Sequence, residues 1–185
     1  MRRSIRFCAP MLVALLAAAG CGGGKDNNAQ DTTTSSASPS TTPAPTCGDH
    51  EIDGVQTRSF CGPASATLSA AGGKTTFAGG ECQTTPEYVS VNIGTVVLGT
   101  GAGARGVKNT TVYFKLDVGR TPADGKDVAA ANKDGTYKGS FTANDHGLAT
   151  TVPQAQVTLT ENRTKGQFSG KTLEGNDATG TFSCT

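Results

Sequence analysis

Tryptophan is absent from this chain, and aromatic residues of every kind make up only 5% of it. With so few large side chains the hydrophobic core must be thin. Charge of one sign is lacking too. The formal net charge is +1, from 16 Lys+Arg against 15 Asp+Glu, and Arg2, Arg3 and Arg6 are the only charges before position 21. Taking those three away leaves 13 basic against 15 acidic residues, a net of −2. A mildly acidic chain does not carry the basic footprint of a nucleic-acid binder. Long apolar runs are missing as well. The stretch from Phe7 to Ala19 falls short of the roughly 20 residues that a spanning helix needs, and Pro10 interrupts it. No two cysteines stand in C-x-x-C spacing, which argues against zinc. The length of 185 residues allows one folded domain.

What is present starts at the amino terminus. Arginines, then a short apolar run, then small residues are the marks of a secretory signal peptide, here residues 1–20. Ala18-Ala19-Gly20-Cys21 resembles the lipobox of bacterial lipoproteins, with Ala18 where leucine is most usual. In that family the cysteine is acylated and becomes the first residue after cleavage. The resemblance therefore implies a diacylglycerol on Cys21 and attachment to the outer face of the cell membrane. One acyl chain binds marginally, whereas two anchor stably.

Residues 22–46 contain no Val, Ile, Leu, Met or aromatic residue, so nothing there offsets the entropy of ordering. The segment from Cys21 to Thr46 is expected to be a disordered Thr/Ser/Pro-rich tether with a reach of roughly 25–30 Å. Its composition also resembles glycosylated stalks. Residues 47–185 form the β-rich globular domain. With Cys8 removed in the signal and Cys21 acylated, four cysteines remain: Cys47, Cys61, Cys82 and Cys184. An even number in an exported domain reads as two disulfides. Four cysteines permit three pairings, and spacing alone does not choose among them.

Apolar residues in the domain recur at every second position. Ala66, Leu68 and Ala70 alternate, as do Val89, Val91 and Ile93, and Val112, Phe114, Leu116 and Val118. Tyr137 and Phe141 flank Gly139 on one face, Val157 and Leu159 follow, and Phe182 shares its parity with Cys184, which should point inward. Turns are expected at 71–74, at Asp134-Gly135 and across 162–166. Helical periodicity is lacking: the best candidate, 124–132, has Ala129-Ala130-Ala131 but no large apolar residue. The expected fold is all-β: an antiparallel sandwich or open half-barrel sheet of about 7–8 short strands.

Cys61-Gly-Pro-Ala-Ser-Ala-Thr-Leu-Ser-Ala-Ala-Gly-Gly73, Val91-Asn-Ile-Gly94, Asp134-Gly-Thr-Tyr-Lys-Gly139 and Phe182-Ser-Cys-Thr185 together resemble the mycobacterial nineteen-kilodalton lipoprotein antigen family. The lipobox and tether fit the same layout. The resemblance implies an actinobacterial surface lipoprotein with a β-rich domain and no assigned enzyme activity. It also implies a Cys61–Cys184 disulfide, which leaves Cys47 for Cys82. The rival arrangement is Cys61–Cys82 across a hairpin with Cys47–Cys184.

Chemistry-bearing motifs read mostly as decoys. Gly101-Ala-Gly-Ala-Arg-Gly106 matches G-x-G-x-x-G, but a dinucleotide site needs a helix there, and a strand follows at 109–115. A flexible loop is expected. His50, within Asp49-His50-Glu51, and His146, beside Asp145, read as solvated loop residues rather than a metal site. No serine sits in a G-x-S-x-G elbow. Ser59 and Ser65 fall beside a strand start, and Asp117, Glu161 and Glu174 fall on outward or turn positions. No catalytic residue, cofactor or metal is expected. The favoured expectation is a non-catalytic domain displayed for recognition or ligand binding, partnered by the bilayer through Cys21 and by a protein or lipid not identified from the sequence. The alternative is a carrier that holds an apolar lipid between its sheets. An exported hydrolase comes third.

Overall fold

The computed structural model describes residues 46–123 and 128–185. The signal, Cys21, tether residues 22–45 and part of the 124–132 segment lie outside them. Ten strands and one helix follow in the order β1 (Gly48–Ile52), β2 (Val55–Ser59), β3 (Ala64–Ala70), β4 (Gly73–Thr84), β5 (Tyr88–Val97), α1 (Ala102–Lys108), β6 (Val112–Gly119), β7 (Gly135–Asp145), β8 (Leu148–Thr160), β9 (Lys165–Lys171) and β10 (Asp177–Ser183). From β3 to β10 each strand pairs antiparallel with the next. β10 then pairs with β3, Phe182 opposite Ala66, and closes an eight-stranded up-and-down barrel. This corrects the expected sandwich or half-barrel. Alternation says which side chains face inward, but it does not say whether the first and last strands meet. Closure leaves the barrel no edge of its own.

The alternation itself is borne out. Val89, Val91 and Ile93, then Phe114, Leu116 and Val118, are fully buried. The thin core is filled by concentrating its aromatics. Five of the seven phenylalanines, Phe77, Phe114, Phe141, Phe168 and Phe182, are buried in one cluster. Phe114 lies 5.4 Å from Phe77, 6.1 Å from Phe141 and 5.5 Å from Phe168, ring centre to ring centre, and Phe141 and Phe168 are 4.8 Å apart. Each such ring contributes roughly 2–3 kcal/mol by leaving water. Room for them comes from glycine. Gly180 stands opposite Phe168 in the β9–β10 ladder, and a Cβ there would run into that ring and the Thr67 carbonyl.

Outside the ring, β1 and β2 form a hairpin whose β2 pairs with the far end of β5, Thr57 opposite Val97. Asp53 and Gly54 turn it, both at positive φ, the type I′ geometry that matches strand twist. The pairing of the cysteines corrects both arrangements expected above. Cys47 joins Cys61, and Cys82 joins Cys184. Hairpin folding sets Gly48 against Ser59, which brings Cys47 beside Cys61. Cys184 follows Phe182 inward as expected, but the thiol it meets is on β4.

The connections fall at two ends. Residues 85–87, 120–123, 128–134 and 161–164 lie at one, here the arginine end. Residues 71–72, 98–111, 146–147 and 172–176 lie at the other, the leucine end.

Candidate functional site

Cys21, the residue the sequence places at the lipid anchor, lies outside the described residues. Among the described ones, the motifs are dispersed rather than gathered. The G-x-G-x-x-G stretch is not the flexible loop expected: Ala102–Lys108 is a seven-residue helix. Its sequence gave little warning, because the buried face consists only of Ala104 and Val107. Gly103 is set close against Val55 of β2. Two helical turns that end in Arg105 and Lys108 pack on the hairpin instead of opening toward a phosphate.

His50 is half-buried on β1, its Nδ1 3.1 Å from the Gly48 carbonyl oxygen. His146 occupies the β7–β8 turn and stands 3.9 Å from the Asp145 carboxylate. Among the described residues no group of three or more His, Cys, Asp or Glu side chains is placed to hold a metal ion. Asp117 faces out from β6, accepts a hydrogen bond from Ser90 Oγ at 2.7 Å and pairs with Lys115 at 2.9 Å. Glu161 pairs with Lys165 at 2.9 Å in the β8–β9 turn, and Glu174 is exposed in the β9–β10 turn. Ser59 Oγ lies 2.6 Å from Thr95 Oγ1, and Ser65 lies on the outer wall of β3. The structure brings none of these candidates together as acid, base and nucleophile.

The arginine end is tied shut. Arg163 donates from Nη1 to the Thr85 carbonyl at 2.6 Å and to the Ala131 carbonyl at 2.9 Å. The Asp134 carboxylate accepts the backbone N–H groups of Asn162 at 3.1 Å and Arg163 at 2.7 Å, which holds three successive residues, Glu161 to Arg163, at positive φ. The Ala131 N–H reaches the Glu87 carbonyl at 2.7 Å. One side chain thus joins all three connections at this end, with the Cys82–Cys184 disulfide near it. Sequence reading placed a turn at 162–166 but missed the clamp, because its partners lie 28 to 78 residues away along the chain.

The leucine end differs. Among the described residues the large apolar side chains left exposed are Leu98 at 54%, Leu148 at 76% and Leu173 at 69%, on or next to connections at this end. Leu148 also borders a groove of about 560 Å³ at the barrel mouth, whose apolar wall includes Leu68, Phe77 and Ala143. Thr75 Oγ1 donates to Asp145 Oδ2 across that mouth at 2.8 Å. Beside it, Phe60 stacks on Tyr113 at 6.1 Å. The Tyr113 hydroxyl donates to Asn92 Oδ1 at 3.1 Å, and burial pushes its pKa well above the ordinary phenol value. On the hairpin, Arg58 donates two hydrogen bonds to the Asp49 carboxylate, at 2.5 and 2.8 Å, and holds its pKa below the usual range.

By its own strand pairing, then, the domain is a disulfide-stapled up-and-down β-barrel with a hairpin and a short helix added at one end. No protein-family model and no curated protein matches the chain. Among solved structures it is similar to a redesigned β-barrel, b11L5F_LGL, at 21% identity over 68% of this chain and 91% of that one, with a TM-score of 0.38. A second redesigned β-barrel, mFAP1 bound to DFHBI, is 14% identical over 67% of this chain and 94% of its own, with a TM-score of 0.37.

Proposed function

We propose that this chain is an exported lipoprotein of the type it resembles, held at the outer face of the cell membrane by acylated Cys21. Its barrel is a non-catalytic domain displayed for recognition or ligand binding. The observation that carries this reading is the disposition of the thiols. Cys47, Cys61, Cys82 and Cys184 pair among themselves, so the domain offers Cys21 no disulfide partner. Two disulfides also suit an oxidising compartment outside the cytosol. The signal-like start, Ala18-Ala19-Gly20-Cys21 and the tether composition supply the rest.

Display rather than transport is supported by the barrel interior, where four phenylalanine rings in mutual contact occupy the middle. A lipid between the walls would have to displace them. Replacing Cys21 by Ser tests the anchor. The protein is expected to leave the membrane fraction for the medium, and retention in the detergent phase would contradict the reading. A lipid extract of the purified protein is expected to contain no stoichiometric ligand. Co-purifying lipid would favour the carrier instead.

A further inference from the structure

We infer that the mouth of the barrel at the leucine end is a binding site for a small apolar amine, whose ammonium group pairs with Asp145. The inference rests on the ligand-binding half of the reading above, to which it gives a place and a chemistry, and it is independent of the anchor at Cys21.

Asp145 is the exception to the inward pattern of the barrel. The inward positions at the end of β7 are Phe141, Ala143 and Asp145, the first two buried and the third half-buried. Among the described residues Asp145 is the one charged side chain on an inward position of the eight barrel strands. A carboxylate set against apolar neighbours costs free energy unless its oxygens are bonded. Here one oxygen is. Oδ2 accepts the 2.8 Å hydrogen bond from Thr75, and because β5 and β6 separate β4 from β7 in the ring, that bond crosses the mouth. Oδ1 faces His146 Nε2 at 3.9 Å, past hydrogen-bond distance.

The groove beside this carboxylate, about 560 Å³, is of the size that small-molecule sites in barrel mouths have. It lies between the β3–β4 and β7–β8 hairpins, where Ala70, Gly73, Gly147 and Ala149 keep the space open. Leu68, Phe77 and Ala143 form its apolar wall. Below Phe77 the interior is filled by the phenylalanine cluster, so a ligand would stop at the mouth and not pass between the walls. Apolar wall and half-bonded carboxylate together select the occupant. A neutral apolar molecule would cover Asp145 without bonding it, and an apolar acid would be repelled by it. An apolar ammonium ion answers both surfaces at once. A bare metal ion would need several more oxygen ligands, and among the described residues no group of three or more His, Cys, Asp or Glu gathers to hold one. Lys74 borders the groove from an outward position of β4, and an acidic probe tests whether it recognises anything.

The lack of tryptophan makes tryptamine a direct probe, because indole emission then comes from the ligand alone. The mature chain, residues 21–185 with Cys21→Ser so that no acyl chain competes for the groove, is titrated at neutral pH with tryptamine, with tryptophol and with indole-3-propionate. Tryptamine emission is expected to shift to the blue and saturate. Tryptophol, the alcohol of the same skeleton, is expected to bind about tenfold more weakly, and the acid more weakly still. Asp145→Asn is expected to bring tryptamine down to the level of tryptophol and to leave tryptophol unchanged. Equal affinity for amine and alcohol, tighter binding of the acid, or saturation by none of the three would overturn the inference. So would a tryptamine affinity untouched in an Asp145→Asn chain that melts like the parent. The three-ligand comparison is made on Asp145-bearing protein, so it decides the matter even where that variant fails to fold. Intact mass of the membrane-extracted protein reads Cys21 separately: a bare Cys21 removes the anchor and leaves the titration standing, and a failed titration leaves the anchor standing.

Discussion

The two ends of the barrel solve different problems with similar amounts of chain. At the arginine end one guanidinium and one carboxylate join the three connections, and a disulfide ties β4 to the carboxy-terminal residues nearby. At the leucine end the connections are two tight turns, a longer turn and a helix with a hairpin beside it, and apolar side chains face solvent. A closed ladder supplies the same backbone bonding to both ends. What differs is what has been added: one end is cross-linked by side chains, and the other leaves three leucines in solvent.

That contrast can be broken by perturbing the ends separately. The largest effect is expected from the disulfides. Loss of Cys82–Cys184, which closes 102 residues of chain, should cost about 4–5 kcal/mol, against about 3 kcal/mol for Cys47–Cys61, which closes 14. Denaturant titration of the paired Cys→Ser variants checks this. Equal losses would mean that the hairpin is as integral as the barrel. Next, Arg163→Ala should cost about 2 kcal/mol, because it leaves the Thr85 and Ala131 carbonyls without their charged donor. A stability change within experimental error would remove the clamp from the account.

A pH effect is expected from Tyr113. The pKa of Tyr113 is raised by burial, so its contribution to stability is whole below the unfolded phenol value of about 10 and is lost as the pH rises past it. The denaturation midpoint should therefore fall between about pH 9.5 and 11, and less so in Tyr113→Phe. An unchanged slope in that variant would assign the alkaline loss to other groups. The smallest effect is expected from Leu148→Ser with Leu173→Ser, within about 0.5 kcal/mol of the parent protein, since both side chains are already exposed. A larger loss would mean that they belong to the core.

Much of the fold was legible in the residues, for reasons the structure makes plain. Alternation at 89–93 and 112–118 reports a two-sided environment, and the shared parity of Phe182 and Cys184 correctly placed the last cysteine inward. Closure was not legible, because the pairing of β3 with β10 depends on register across more than 100 residues of chain. Disulfide partners were hidden for the same reason: spacing does not encode which strands become neighbours. The β1–β2 hairpin was missed since its strands are polar and held partly by the Arg58–Asp49 pair, although Asp53-Gly54 was a readable turn signal. Helix α1 escaped because a seven-residue, glycine-rich segment with two inward residues shows almost no periodicity. As for the site, sequence reading named Cys21, and neither the arginine clamp nor the exposed leucines can be seen without the barrel.

The proposed placement of the barrel depends on the chemistry of Cys21, which intact mass spectrometry of the protein extracted from membranes reads out. The predicted result is a chain that begins at Cys21, heavier than its sequence by a diacylglycerol or more, with the four domain thiols oxidised. A chain that keeps residues 1–20, or one with an unmodified Cys21, would contradict it.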